Sequence, residues 1–159
     1  MPRKVTKKLQ RTLKPDRKYQ SVLVQRLINK SMLNGKKLLA ERAVYSALEQ
    51  AAKKLNSEDP LEVFERALRN IWPNFEVKSR RVGGANYQIP FPVAGHRQQH
   101  YAFTWLVQAA RARQGMPYAQ RLALEIVDAY NEAGAAFKKK EDTHKMAEAN
   151  RAFAHFARG

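Results

Sequence analysis

The apolar positions of this chain recur at two periods, and the change from one to the other divides it into parts. From Ser21 to Leu33 the residues Leu23, Val24, Leu27, Ile28 and Met32 fall three and four apart, a helical stripe that stops at Asn34-Gly35. A longer stripe follows. Ala40, Ala43, Val44, Ala47, Leu48, Ala51 and Leu55 share one face, with Lys37, Glu41 and Lys53 off it. Asp59-Pro60-Leu61-Glu62 then reads as an N-cap, a proline in the first turn and the acid of a capping box. A third helix starts there with Phe64, Ala67, Leu68 and Ile71 inward, and Pro73 ends it.

Beyond Pro73 the period drops to two. Phe75, Val77 and Ser79 alternate with Glu76, Lys78 and Arg80, and Tyr87, Ile89 and Phe91 alternate with Asn86, Gln88 and Pro90. This predicts a β-hairpin at about 74–92 that turns at Gly83-Gly84, the one strand pair in the pattern. Pro90 and Pro92 cannot donate to a ladder, so the returning strand has an exposed edge and the hairpin projects. Helical spacing resumes near His96. Tyr101, Ala102, Phe103, Trp105, Leu106, Val107, Ala109 and Ala110 make that helix apolar nearly all round, which places it in the core. Pro117 opens a fifth helix that closes near Gly134, and a sixth starts at Asp142 or Thr143 and lies on the body with Met146, Ala147, Asn150, Phe153 and Ala154. The fold class is mainly α: a single helical domain of about six helices with one protruding β-hairpin and a disordered basic N-terminal tail. A length of 159 residues suits a single core.

Charge narrows the function. Thirty Lys and Arg against fourteen Asp and Glu leave a net charge of +16, which calls for a polyanion. Residues 1–20 hold eight basic side chains against one acid, Asp16, and little to bury, so they form a tail that stays disordered until a partner neutralises it. The domain proper is then 21–159. Residues 101–136 hold three Arg and three acids, so the charge is concentrated elsewhere and marks a binding face. Its clusters are the tail (Arg3, Lys4, Lys7, Lys8, Arg11), Lys36-Lys37, Lys78 with Arg80-Arg81, and Lys138-Lys139-Lys140. Each falls at a helix end, turn or tail, where side chains can follow an irregular phosphate backbone. Tyr87, on an exposed arm, is a candidate for stacking on a base.

Other chemistries fare worse. No apolar run approaches the roughly 20 residues of a spanning helix, and the basic start continues into Leu9-Gln10-Arg11 rather than the apolar stretch of a secretory signal. No cysteine is present, so thiolate metal sites and disulfides are excluded. Gly83-Gly84 precedes a strand, not the helix a phosphate loop needs. His96 and His100 stand one turn apart, but Arg97 lies between them and no carboxylate or cysteine is near, so no metal is expected. No catalytic grouping and no cofactor motif is found. An RNA-binding protein fits best, with a DNA-binding winged helix or architectural protein as the alternative.

Three stretches carry a resemblance. Arg80-Arg81-Val82-Gly83-Gly84-Ala85 with Tyr87-Gln88-Ile89-Pro90 resembles the hairpin of the small-subunit ribosomal protein S-seven family, bacterial type. Leu27-Ile28-Asn29-Lys30 with Met32 and Gly35-Lys36-Lys37 is similar to its first helix and turn, and the run from Lys139 to His155 is similar to its last helix. The resemblance implies a structural constituent of the small subunit, not an enzyme, that binds the 3′ major domain of its ribosomal RNA and nucleates assembly of the head. It implies a hairpin near the exit-site tRNA and the messenger path, and neighbouring head proteins including the eleventh small-subunit protein. Carried over by position, the RNA-contact candidates are Lys36, Lys37, Lys78, Arg80, Arg81, Lys139, Lys140, Lys145 and Arg151, with Gly83 and Gly84 shaping the tip. The expected location is the cytoplasmic ribosome, with an organellar ribosome left open by the Arg, Lys and Thr of the N-terminus.

Overall fold

The computed structural model describes residues 12–158. Over them the chain forms α1 (Val22–Ser31), α2 (Lys37–Lys54), α3 (Pro60–Ile71), β1 (Phe75–Val82), β2 (Ala85–Pro92), α4 (Gly95–Ala112), α5 (Tyr118–Tyr130), α6 (Gly134–Ala149) and a closing 3₁₀ segment, Arg151–Arg158. The helical stripes meet in one core: Leu27 and Ile28 of α1, Val44 and Leu48 of α2, Phe64 and Leu68 of α3, Leu106 of α4, and Leu122 and Ile126 of α5 are all fully buried. Helix α5 packs against α2, α3 and α4 at the centre. The alanines of α2 on that stripe let its neighbours approach closely. At the start of α3 the Asp59 carboxylate accepts the Leu61 N–H at 2.8 Å, while Glu62 stands exposed rather than closing the box.

The last helix begins at Gly134, well before the expected Asp142 or Thr143, so Gly134 opens α6 instead of closing α5. The cause is tertiary. Glu125 of α5, fully buried, accepts the Ala136 N–H at 2.9 Å and so caps α6 with a carboxylate from another helix. Arg113 neutralises Glu125 from the far side through Nε at 2.9 Å and Nη2 at 2.6 Å, and also bonds Asp128. Gly134 sits at φ +86°, where a Cβ would lie 2.8 Å from that of Asp128. Only glycine fits there. Lys138, Lys139 and Lys140 are therefore inside a helix rather than in the loop that the charge pattern suggested.

The tail boundary also moves. Asp16 is almost fully buried and accepts N–H groups from Lys18 at 2.9 Å, Tyr19 at 2.8 Å and Ser21 at 2.8 Å, plus the Tyr45 hydroxyl at 3.1 Å. Burial opposes its ionisation, yet those four donors hold the carboxyl below its ordinary range. Residues 16–20, assigned to the tail on charge, are thus fastened to α2. The expected disorder of residues 1–11 concerns positions outside the described residues.

The two strands pair antiparallel from Phe75↔Pro92 to Val82↔Ala85. Gly83 and Gly84 close them at φ +57° and +88°, the double left-handed turn that matches strand twist. The register sets Lys78 opposite Ile89, so Ile89 shares a face with Glu76, Lys78 and Arg80. That face turns inward: Ile89 is fully buried and Glu76 is 5% exposed, whereas Phe75 is 47% exposed. The charged side of β1 meets α4 through Glu76, while Phe75 on the other face lies half-exposed against His144 of α6.

Candidate nucleic-acid interface

A buried carboxylate fixes one side of the hairpin's root. Glu76 accepts from Arg97 Nε at 2.7 Å and Lys78 Nζ at 2.8 Å, and from the hydroxyl of Tyr101. Burial pushes its carboxyl up, but the hydrogen bonds of Lys78, Tyr101 and Arg97 prevail and bring it down to about 2. Tyr101 in turn stacks on the buried Trp105 of α4 at 5.3 Å, which ties the root to the core. On the opposite side the Asn74 N–H donates to His144 Nε2 at 3.0 Å, and the Phe75 and His144 rings meet edge to face. Burial and the nearby Lys140 hold His144 below its ordinary pKa, in keeping with an acceptor nitrogen.

From this root the arm carries Arg80, Arg81, Gly83 and Gly84 outward, and all four are exposed. Arg80 spends one N–H on the Phe156 carbonyl at 2.9 Å. Lys78 divides its ammonium between Glu76 and the face of Phe91, 4.9 Å from the ring centre, so it serves the arm's own structure as well as any anion. Tyr87 is not the open stacking surface that its strand position suggested. Its ring packs at 5.1 Å on Phe153 and 5.3 Å on Phe156.

A second basic region lies where α1 meets the start of α4. Arg26, Asn29 and Lys30 from α1 and His96, Gln99 and His100 from α4 line a cleft of about 410 Å³. Arg26 donates across it to Gln99. The first turn of α4, which supplies His96 to this cleft, holds no acid and no side-chain cap, so its partial positive charge is not neutralised locally. Sequence reasoning missed Arg26 and Lys30, although their i, i+4 spacing opposite the apolar stripe was available. It considered the two histidines only as a metal pair, and no metal-holding group of His, Cys, Asp and Glu occurs among the described residues.

Lys36 and Lys37 stand at the start of α2, after a turn in which Asn34 and Gly35 both take positive φ. That helix also begins without an acid or a side-chain cap. Exposed Leu38, Leu39 and Arg42 adjoin the pair.

The candidates on α6 separate. Lys138, Lys139 and Lys145 are exposed. Lys140 is half-buried, donates to the Asn70 carbonyl at 2.7 Å and lies 5.0 Å over the Phe137 ring. It neutralises the carbonyl end of α3 and is a structural residue. Arg151 is exposed and approaches Glu148 at 3.4 Å. Arg3, Lys4, Lys7, Lys8 and Arg11 lie outside the described residues. The site, among the described residues, is thus a set of cations at three helix starts or faces and one arm.

Comparison with known proteins agrees. Residues 2–151 match the family described as Ribosomal protein S7p/S5e. The small ribosomal subunit protein uS7 of Chloroflexus aggregans is 57% identical over 93% of this chain and 94% of its own length. Those of Thermomicrobium roseum and a Roseiflexus species are 56% and 53% identical, over 98% and 99% of this chain and 99% of each relative. Taken with the hairpin and the distribution of cations, these matches show that the chain belongs to the ribosomal protein S7p/S5e family, whose members are structural proteins of the small ribosomal subunit and not enzymes.

Proposed function

We propose that this protein binds the 3′ major domain of small-subunit ribosomal RNA and nucleates assembly of the head, with its hairpin directed to the exit-site tRNA and messenger path. Neighbouring head proteins, the eleventh small-subunit protein among them, complete its partners, and the cytoplasmic ribosome is its place of work. The observation that carries the reading is the pairing of exposed cations with helix starts that lack an acid or side-chain cap: Lys36 and Lys37 at α2, and Arg26 and Lys30, beside the exposed rings of His96 and His100, at α4. Phosphate groups meet there both a full charge and unpaired backbone amides. The mechanism is counterion release by Lys and Arg from several RNA helices, whose relative position the apolar core then fixes. Arg81 and the glycine turn are exposed at the end of the arm and serve its own contacts.

Footprinting of small-subunit RNA with the full chain, at near-physiological salt and with duplex DNA as competitor, tests it. Protection confined to the 3′ domain is expected. In Lys36→Ala/Lys37→Ala the log–log salt slope of binding should fall by roughly one to two. Protection spread over the whole RNA and erased by DNA would reject the assignment.

A further inference from the structure

We propose that Arg151–Phe156 is a brace that sets the angle of the hairpin, so that RNA contacts at the tip depend on a segment that need not touch RNA itself. The inference rests on the reading that the hairpin meets RNA. A two-stranded ribbon is marginal alone, and the contacts to α4 and α6 hold this one at its root, through Glu76 on one side and through Asn74 and Phe75 against His144 on the other. Anchoring at the root alone leaves a hinge. A second anchor further out removes it.

The register supplies the place for that anchor: Arg80 stands opposite Tyr87, on one face of the ribbon. Both are held by the same short segment. Phe153 and Phe156 take the Tyr87 ring at 5.1 and 5.3 Å, and the Phe156 carbonyl takes the Arg80 guanidinium at 2.9 Å. The 3₁₀ geometry explains the pairing, because at three residues per turn positions 153 and 156 eclipse, and their rings stack within 20° of parallel. His155 closes on Phe156 at 4.0 Å. The segment is joined to the body without slack: the Phe153 N–H donates to the Asn150 carbonyl at 3.0 Å, and Asn150 Nδ2 donates to the Met146 carbonyl of α6 at 2.8 Å. Ala136 and Ala147 bury α6 against the rest. A continuous path thus runs from the core through α6 to the middle of the arm, while Arg81 to Asn86 extend past it.

Amide hydrogen exchange and ribosomal RNA binding, both on the full chain, test the brace in Phe156→Ala. Exchange in β1 and β2 beyond the Lys78–Ile89 pair should rise about tenfold while α2 and α5 stay unchanged. Kd for the RNA should rise roughly three- to tenfold through lost preorganisation, and Phe156→Tyr should restore both. Unchanged exchange in the arm would overturn the brace. Faster exchange with unchanged or tighter binding would overturn its role in RNA contact, with the segment then a shield over Tyr87 if binding tightens. Arg81→Ala separates the two layers: if it too leaves binding unchanged, the hairpin does not meet RNA and the underlying reading fails, whatever the exchange shows.

Discussion

Phe64 and Glu76 lie on either side of Pro73, both are almost out of solvent, and different forces keep them there. Phe64 is fully buried in an apolar cluster drawn from all six α-helices, and its burial is favourable in itself. Glu76 is buried at a cost and remains so because two cations and a hydroxyl converge on it. The helical body is thus held mainly by non-directional packing, with its buried carboxylates, Asp16 and Glu125, fastening single segments at its margins. The arm is held by a few directional polar bonds and aromatic contacts. A protein that must keep a rigid platform yet present an adjustable arm to a polyanion gains from that division.

The largest effect should come from the platform. Phe64→Ala removes a fully buried ring and should cost about 3–5 kcal/mol in denaturant unfolding. All helices should melt together, because one cluster joins them. A loss below about 1 kcal/mol would mean that the body does not unfold as one unit.

The arm should break in acid before the platform does. The Glu76 carboxyl titrates near 2 in the folded chain against an ordinary 4.5. The folded state therefore binds that proton less tightly than the unfolded chain, so the contribution is complete above about 4.5 and fades as pH falls towards 2. Lys78 and Arg97 are about half exposed, which screens the pair and leaves about 1–2 kcal/mol. His144 acts in the same sense at higher pH. Its pKa is lowered on folding, so the bond from Asn74 is present above the ordinary histidine range and weakens as pH falls below it. Protection of the arm's amides, taken relative to the intrinsic exchange rate from pH 7 downward, should fall in two steps, and Glu76→Gln should remove the step below about 4.5 while leaving the His144 step in place. An arm that loosens equally in the parent and in Glu76→Gln would assign the acid response elsewhere.

The same division explains what the sequence revealed. Helices α1 to α5 were legible because each carries a full apolar stripe, and a stripe of that length has one sensible partner, the core. The hairpin was legible from its glycine pair and its period of two. Its inward face was not, since alternation cannot say which side turns in when a buried carboxylate outweighs a phenylalanine. The start of α6 was hidden for a related reason: its cap is Glu125 of another helix, and Gly134-Ala135-Ala136-Phe137 has no stripe to announce it. Of the site, the basic clusters at Lys36-Lys37 and Arg80-Arg81 were visible as runs of charge. Arg26 and Lys30 are single charges in an amphipathic helix, and only the approach of α4 makes a cleft of them.

The smallest expected effect is also the finest test, because it asks two adjacent lysines to behave oppositely. Lys140 donates to the Asn70 carbonyl at the end of α3, while Lys139 is exposed. Lys140→Ala should cost about 1 kcal/mol of stability, the value of one charge-assisted bond with its partner left partly solvated. It should leave the salt dependence of RNA binding unchanged. Lys139→Ala should stay within about 0.5 kcal/mol in stability and lower the salt slope by up to about one. Paired unfolding and binding curves for the two variants read both quantities. If Lys140→Ala weakened RNA binding at full stability, that ammonium would belong to the interface and the carbonyl end of α3 would stand without it. If neither variant changed the salt slope, Lys139 would leave the RNA-binding face, and Lys138 and Lys145 with the cations at α2, α4 and the arm would have to account for all of it.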